Sequence, residues 1–156
     1  MARPSADPVH CWLVWMRAHE AAVDYLLRGI EETGISFTDF RILEALLHKG
    51  PLPVNTVGPK VNLTPGSISV AVDRLLERGL VSRVESPDDR RVRMVALTKT
   101  GKDLIGPIFR KHAAEIAKMF SDASAKEMEL LETVLKKTGK HAESLRRTAK
   151  PASSDG

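Results

Sequence analysis

The stretch from Asn62 to Thr98, NLTPGSISVAVDRLLERGLV followed by SRVESPDDRRVRMVALT, constrains the fold more than any other part of the chain. Its first half predicts a short helix marked at both ends. Thr64 is a good N-cap, and Pro65 fits the first helical position, where a missing N–H costs nothing. Ile68, Ala71, Val72, Leu75 and Leu76 recur at helical spacing and form one apolar face. Gly79 stops the helix just past Arg78, as a glycine after a helix end commonly does. The opposite face carries Gly66, Ser67, Val70, Asp73, Arg74 and Glu77. Ser67, Val70 and Arg74 project along one line at i, i+3 and i+7. A bare valine on a polar face is out of place against water but suits a surface that meets thymine methyl groups.

The second half predicts a hairpin. Leu80–Glu85 and Arg91–Leu97 are rich in β-branched and apolar residues, with turn chemistry, Ser86-Pro87-Asp88-Asp89-Arg90, between them. Arg90, Arg91 and Arg93 gather at or beside its tip. A helix with a polar outer line, followed at once by an arginine-tipped hairpin, reads as a winged helix-turn-helix. Its helix would enter a major groove while the wing touches phosphate or the minor groove. A plain helix–hairpin unit with a solvated charged turn is the alternative.

The remainder fits around that unit. The 156 residues suffice for one compact domain or two small lobes. A formal net charge of +4 is compatible with nucleic acid without requiring it. One cysteine, Cys11, excludes an intrachain disulfide and a cysteine-based zinc finger, and fits a reducing cytoplasm. No apolar run approaches the roughly 18 residues of a membrane span, and no signal peptide is expected.

Residues 1–8 are expected to be a flexible arm and residues 148–156 a disordered tail. A long helix is predicted from about Val9 to Glu32. Trp12, Met16, His19, Val23, Leu26 and Ile30 form one stripe on it, and Cys11, Trp15, Ala18, Ala22 and Tyr25 a second. Two stripes imply burial on more than one side, one towards the chain itself and one towards a partner subunit. Ser36-Phe37-Thr38-Asp39 looks like a capping-box start for a helix running to His48, with Asp39 in the place of Glu or Gln. Gly50-Pro51-Leu52-Pro53 breaks it. Val54–Val61 is the first helix of the helix-turn-helix, although Gly58-Pro59 makes it a poor one. Thr98 caps a helix over about Lys99–Phe120, in which Gly106-Pro107 should introduce a kink or opening. Ser124-Ala125-Lys126-Glu127 is a capping box for a last helix, with Met128, Leu131, Val134, Leu135 and Leu145 inward. The expected architecture is mainly α with a small β wing. A winged helix-turn-helix over residues 36–98 is flanked by helical dimerisation regions, 9–35 and 99–147. A two-fold homodimer would set two recognition helices about 34 Å apart on a pseudo-palindromic double-stranded operator.

With these motifs in view, LTPGSISVAVDRLLERGLVSR…PDDRRVRMVALTKTGKDL resembles the MarR family of winged-helix transcriptional regulators, over about Val9 to Leu145. The most specific part is Asp89, Arg91 and Leu97-Thr98 with Gly101. FTDFRILEALLHKGPLPVNTVG and LTPGSIS look most like the family's regulators of quinone, hydroquinone and catechol resistance. The resemblance implies that Ser67, Ser69, Val70 and Arg74 meet base edges and nearby phosphates, with Thr64 and Gly66 beside them. It places Arg91 in the minor groove, Asp89 as the acid orienting it, and Arg90 and Arg93 on phosphates. Val92 stands where the family often has glycine, so the wing turn has a different shape, and Pro59 is a further departure. The implied mechanism is occlusion of polymerase, relieved when a small ligand binds between the dimerisation helices and the wing domain. Trp12, Trp15, Tyr25, Phe37, His48 and His112 would line that pocket and suit a flat phenol or quinone; core and subunit interface are the plainer roles for each.

Cys11, with Trp15 and Tyr25 on its face, also resembles the reactive cysteine of the family's organic-peroxide sensors, which leaves a thiol-based repressor as the alternative. No metal or cofactor is expected, since no HxxxH or CxxC spacing exists. No phosphate loop, GxSxG or Ser/His/Asp arrangement points to an enzyme. A winged helix that binds only protein is separated from these by the salt dependence of DNA binding.

Overall fold

Side chains set the helix starts in the computed structural model, which describes residues 7–89 and 92–148. Helix α1 (Pro8–Glu31) begins at Asp7, whose carboxylate accepts the Val9 N–H at 3.1 Å. Pro8 is therefore helical and leaves the expected arm, whose residues 1–6 lie outside the described residues. Helix α2 (Phe37–Lys49) starts at Ser36, whose hydroxyl oxygen accepts the Asp39 N–H at 3.1 Å. Only this half of the expected capping box forms, because the Asp39 carboxylate turns elsewhere. Residues Leu52–Pro53 form strand β1, followed by α3 (Val54–Lys60), α4 (Pro65–Glu77), β2 (Val81–Glu85), β3 (Arg93–Leu97), α5 (Lys99–Met119) and α6 (Ala125–Thr148).

The sheet is antiparallel in the order β1-β3-β2, with β2 and β3 registered from Val81↔Leu97 to Glu85↔Arg93. Strand β1 corrects the expectation that Gly50–Pro53 is only a break: Leu52 pairs with Val95 and Pro53 with Met94. Two residues show no alternation to read, and a proline is tolerated on a sheet edge, where its missing N–H leaves no gap in the ladder. Helix α3 forms despite Gly58-Pro59. A Cβ on buried Gly58 would lie 3.3 Å from both Ile68 Cγ2 and the Leu63 carbonyl oxygen, so the approach of α3 to α4 uses the missing side chain. Pro59 falls in the last turn of this short helix. The connection to α4 turns at Asn62, φ 55°, a left-handed conformation that asparagine tolerates better than most residues.

The core joins Ile30 of α1, Phe40, Ile42, Leu43 and Leu46 of α2, Val57 of α3, the inner face of α4, Val81 and Val95 of the sheet, and Ile105 of α5. Each such side chain contributes about 1.5–3 kcal/mol over its exposed state. The recognition unit thus rests on residues from α1 through α5.

The chain divides into two compact units, one ending at Ala117 and the other beginning at Lys118. Helix α5 runs through Gly106-Pro107 without interruption. Its start is fastened by Thr98. The Thr98 N–H donates to the Leu80 carbonyl at 3.1 Å, and its hydroxyl donates to the Gly79 carbonyl at 2.7 Å and accepts the Gly101 N–H at 3.0 Å. In the second unit α6 carries a complete capping box. The Ser124 N–H donates to Glu127 Oε2 at 2.8 Å and the Glu127 N–H to Ser124 Oγ at 3.3 Å. The Ser124 hydroxyl, which also donates to Glu127 Oε2 at 2.7 Å, and then the Ser124 N–H hold the Glu127 carboxyl below its ordinary range. Thr148 belongs to α6 and not to the expected tail, and residues 149–156 lie outside the described residues.

The stripes expected to be buried are largely uncovered in a single chain. Of the first α1 stripe only Ile30 is buried, whereas Trp12 and Trp15 are exposed and meet edge-on with centroids 5.4 Å apart. Met128, Leu131, Val134 and Leu145 of α6 are exposed too. Among the described residues, no helix is long and apolar enough to cross a membrane.

Candidate nucleic-acid interface

Helix α4 separates its faces sharply. Ile68, Ala71, Val72 and Leu75 are buried, while Val70 on the opposite side is 65% exposed. The N-terminal turn is preset by hydroxyls: Thr64 Oγ1 accepts the Ser67 N–H at 3.2 Å and donates to Ser67 Oγ at 2.9 Å. The Ser69 hydroxyl donates to the Pro65 carbonyl at 3.1 Å. Gly66 is exposed, and a Cβ there would meet nothing within 4 Å. Thr64, Gly66, Ser67, Ser69 and Val70 thus share an open surface at the start of the helix.

Arg74 continues the line of Ser67 and Val70 but is already engaged. Its Nε donates to Asp39 Oδ2 at 3.2 Å and its Nη2 to Asp39 Oδ1, a two-point grip that raises the arginine pKa further. Arg78, one turn on, places Nη1 3.6 Å from Asp39 Oδ2. Asp39 is 2% exposed and is the only buried charged residue among those described. Sequence reasoning treated it as a cap. The signal for its other role was available: Asp39 falls on the buried face of α2 with Ile42, Leu43 and Leu46, where a carboxylate needs a cation.

The wing is tied to α4 by an exposed pair, Arg83 Nη2 to Asp73 Oδ1 at 2.5 Å. At its tip Ser86 Oγ accepts the N–H groups of Asp88 at 3.3 Å and Asp89 at 3.4 Å. The Val92 N–H closes the turn on the Asp89 carbonyl at 2.9 Å. Arg93 is exposed opposite Glu85. Arg90 and Arg91, expected at the tip, lie outside the described residues.

A helix with an open outer face, packed on a second helix through a left-handed turn and flanked by a hairpin, is the geometry of a winged helix-turn-helix. Comparison with known proteins agrees. The family model described as "MarR family" matches residues 33–92. The HTH-type transcriptional regulator MhqR of Bacillus subtilis (strain 168) is 39% identical over 131 residues, which cover 84% of this chain and 90% of that protein. The chain belongs to the MarR family. It is a DNA-binding transcriptional regulator of that family. Among solved structures, AbsC, a MarR-family transcriptional regulator of Streptomyces coelicolor, is similar with a TM-score of 0.78 at 20% identity over 92% of this chain and 99% of that one. A mutant MarR of Escherichia coli complexed with operator DNA gives a TM-score of 0.71 at 19% identity over 85% and 99%. Both likenesses are of fold.

This MarR-family chain also has a cavity of about 320 Å³ between α1 and α5, lined by Tyr25, Arg28, Ile30, Ile108, Lys111, His112 and Glu115 among others. Of the six residues expected to line an effector pocket, Tyr25 and His112 border this cavity. Trp12 and Trp15 do not, since ten or more residues of helix separate them from Tyr25, about 15–20 Å of rise. Phe37 lies under Arg41, and His48 packs edge-on against Phe109. The lining is accordingly more charged than a set of aromatics. The Tyr25 hydroxyl donates to Glu115 Oε2, and this bond to a carboxylate raises the tyrosine pKa. His112 meets the Phe40 ring edge-on at 4.8 Å.

Cys11 is exposed near the start of α1. Trp15 is one turn away, but Tyr25 is fourteen residues on, about 21 Å along the same helix. The three share a face and not a site within one chain. Among the described residues no group of three or more His, Cys, Asp or Glu is placed to hold a metal.

Proposed function

We propose that this regulator acts as a homodimeric repressor. It sits on a pseudo-palindromic operator with α4 of each copy in a major groove, and a small phenol- or quinone-like ligand releases it. The observation that carries the base-reading part is the 65% exposure of Val70 on a line with Ser67, beside the unoccupied Cβ position of Gly66. An apolar side chain and hydroxyls at the N-terminal end of the helix match the chemistry of thymine methyls and base edges. Arg93, together with Arg90 and Arg91, supplies charge for phosphate or the minor groove, with Asp89 as the orienting acid. Dimerisation is supported by the uncovered tryptophans and valines of α1 and the uncovered apolar residues of α6. A cytoplasmic setting fits the single free cysteine.

The ligand part rests on the α1–α5 cavity, where a hydroxyl, a carboxylate and the cations Arg28 and Lys111 surround apolar Ile30 and Ile108. A ligand there lowers DNA affinity only insofar as it prefers the arrangement that does not bind DNA. A second route is favoured by the exposure of Cys11: quinones alkylate accessible thiols.

The test is binding of the purified protein to the DNA just upstream of its own gene, by fluorescence anisotropy at two salt concentrations, with and without a quinone or catechol. Tight, salt-dependent binding that resists random competitor and is relieved by the quinone is the expected outcome. Relief that survives Cys11→Ser assigns the effect to the cavity, and loss of relief assigns it to the thiol. Affinity equal to that for random DNA would contradict the operator assignment.

A further inference from the structure

We propose that Asp39 acts as an internal stand-in for a DNA phosphate: it occupies Arg74 and Arg78, fixes the seat of α4 on α2, and withholds two cations from the DNA backbone, so that binding depends on the bases α4 reads. The inference rests on the reading of α4 as the DNA-contacting helix. It replaces the sequence-based expectation that Arg74 itself touches DNA.

Three observations support it. The Asp39 side chain is 3% exposed, whereas those of Arg74 and Arg78 are 45% and 39% exposed, so the pair joins a buried anchor to the DNA-facing surface. Arg74 uses Nε and Nη2 on the two carboxylate oxygens, the same planar fork that arginine presents to phosphate. Arg74 in the last turn of α4 and Arg78 at its C-cap stand four residues apart, so one carboxylate holds the end of the helix at two points. A helix so held has its angle fixed at its C-terminal half while its N-terminal half carries the open surface of Gly66, Ser67 and Val70. Free arginines at these positions would attract any duplex, because phosphate contacts carry affinity without sequence information.

The experiment uses the full chain and two duplexes of equal length. One is the preferred sequence that the wild-type protein selects from a random pool, and the other is its scrambled counterpart. Affinity is measured over a salt series for wild type, Asp39→Asn, Arg74→Gln and the double variant. For Asp39→Asn the expected result is tighter binding to scrambled DNA, a salt slope steeper by about one to two, and a selective-to-scrambled ratio lower by about tenfold or more. Arg74→Gln alone should leave the slope on scrambled DNA unchanged, and adding it to Asp39→Asn should bring the slope back by about one. Should Asp39→Asn fail to fold, Arg74→Gln and Arg78→Gln carry the test through the same unchanged slope. A slope lowered by about one in Arg74→Gln would place Arg74 on phosphate and overturn the proposal, as would an unchanged slope and ratio in a folded Asp39→Asn. If the wild-type protein selects no sequence at all, the reading of α4 fails and the proposal with it; selective wild type with an unaltered Asp39→Asn defeats the proposal alone.

Discussion

Gly101→Ala should damage the fold out of proportion to the one methyl group it adds. Gly101 is buried at the start of α5, against the backbone that leaves α4 and enters β2. A Cβ there would lie 3.0 Å from the Leu80 carbonyl carbon, closer still to its oxygen, and 3.3 Å from Leu97 Cδ2. Carbon atoms in favourable contact sit about 3.5–4.0 Å apart. The obstacle is backbone, so no rotamer change relieves it. The same Leu80 carbonyl accepts the Thr98 N–H, and Thr98 in turn holds the Gly101 N–H. Moving α5 away therefore strains hydrogen bonds as well as packing. Overpacking of this kind costs about 1–3 kcal/mol and a weakened buried hydrogen bond about 1 more. For a chain of this length that corresponds to a fall of about 5–15 °C in Tm. Thermal unfolding followed by far-UV circular dichroism reads it, with Gly139→Ala as the comparison. Gly139 is helical with nothing within 4 Å of a Cβ, so alanine there should be neutral or stabilising by up to about 1 kcal/mol. A Gly101→Ala protein melting within a degree or two of wild type would refute the contact reasoning.

Other outcomes follow from the same geometry. Gly66→Ala should leave Tm unchanged or slightly raised yet weaken operator binding, since the space it fills is outside the fold; anisotropy beside a melt separates the two effects. Breaking the exposed Arg83–Asp73 pair by Arg83→Ala should cost no more than about 1 kcal/mol in urea unfolding. Tyr25 is the only tyrosine, so its ionisation can be followed by ultraviolet absorbance. Its transition should lie above the ordinary value near 10 and fall back towards it in Glu115→Gln, and an unmoved transition would remove the bond. Glu127 is held below its ordinary 4.5, so its contribution to α6 is complete above that value and is lost as pH falls through the lowered one. Acid titration of helicity should show a shallower decline in Glu127→Gln.

What could be read from the residues was mostly local. The ends of α4 follow from Thr64, Pro65 and Gly79, and its faces from spacing within thirteen residues. The wing hairpin follows from turn chemistry between two β-rich runs. Thr98 was legible as a helix cap, but Leu97 and Gly101 stood out only through resemblance, and the contacts that Thr98 and Gly101 make with Gly79 and Leu80 lie some twenty residues earlier. Asp39 was misread because a capping rule looks three residues away, whereas its partner is thirty-five residues on. Strand β1 is too short to show a period. The residues that the resemblance implied for an effector pocket do not all border one cavity of a single chain: along α1, Trp12 and Tyr25 are about 20 Å apart. The cavity instead draws on Arg28, Lys111 and Glu115, whose charge had no pattern to distinguish it from a solvated surface.

The most direct test of base reading by α4 is the relative affinity of wild type and Val70→Ala for every single-base variant of the selected operator, at one fixed salt concentration. Contact between Val70 and a thymine methyl group predicts that preference relaxes at one or two positions in each half-site, by about 1–3 kcal/mol, with all other positions unchanged. A uniform loss of affinity on every duplex, or no change on any, would contradict it.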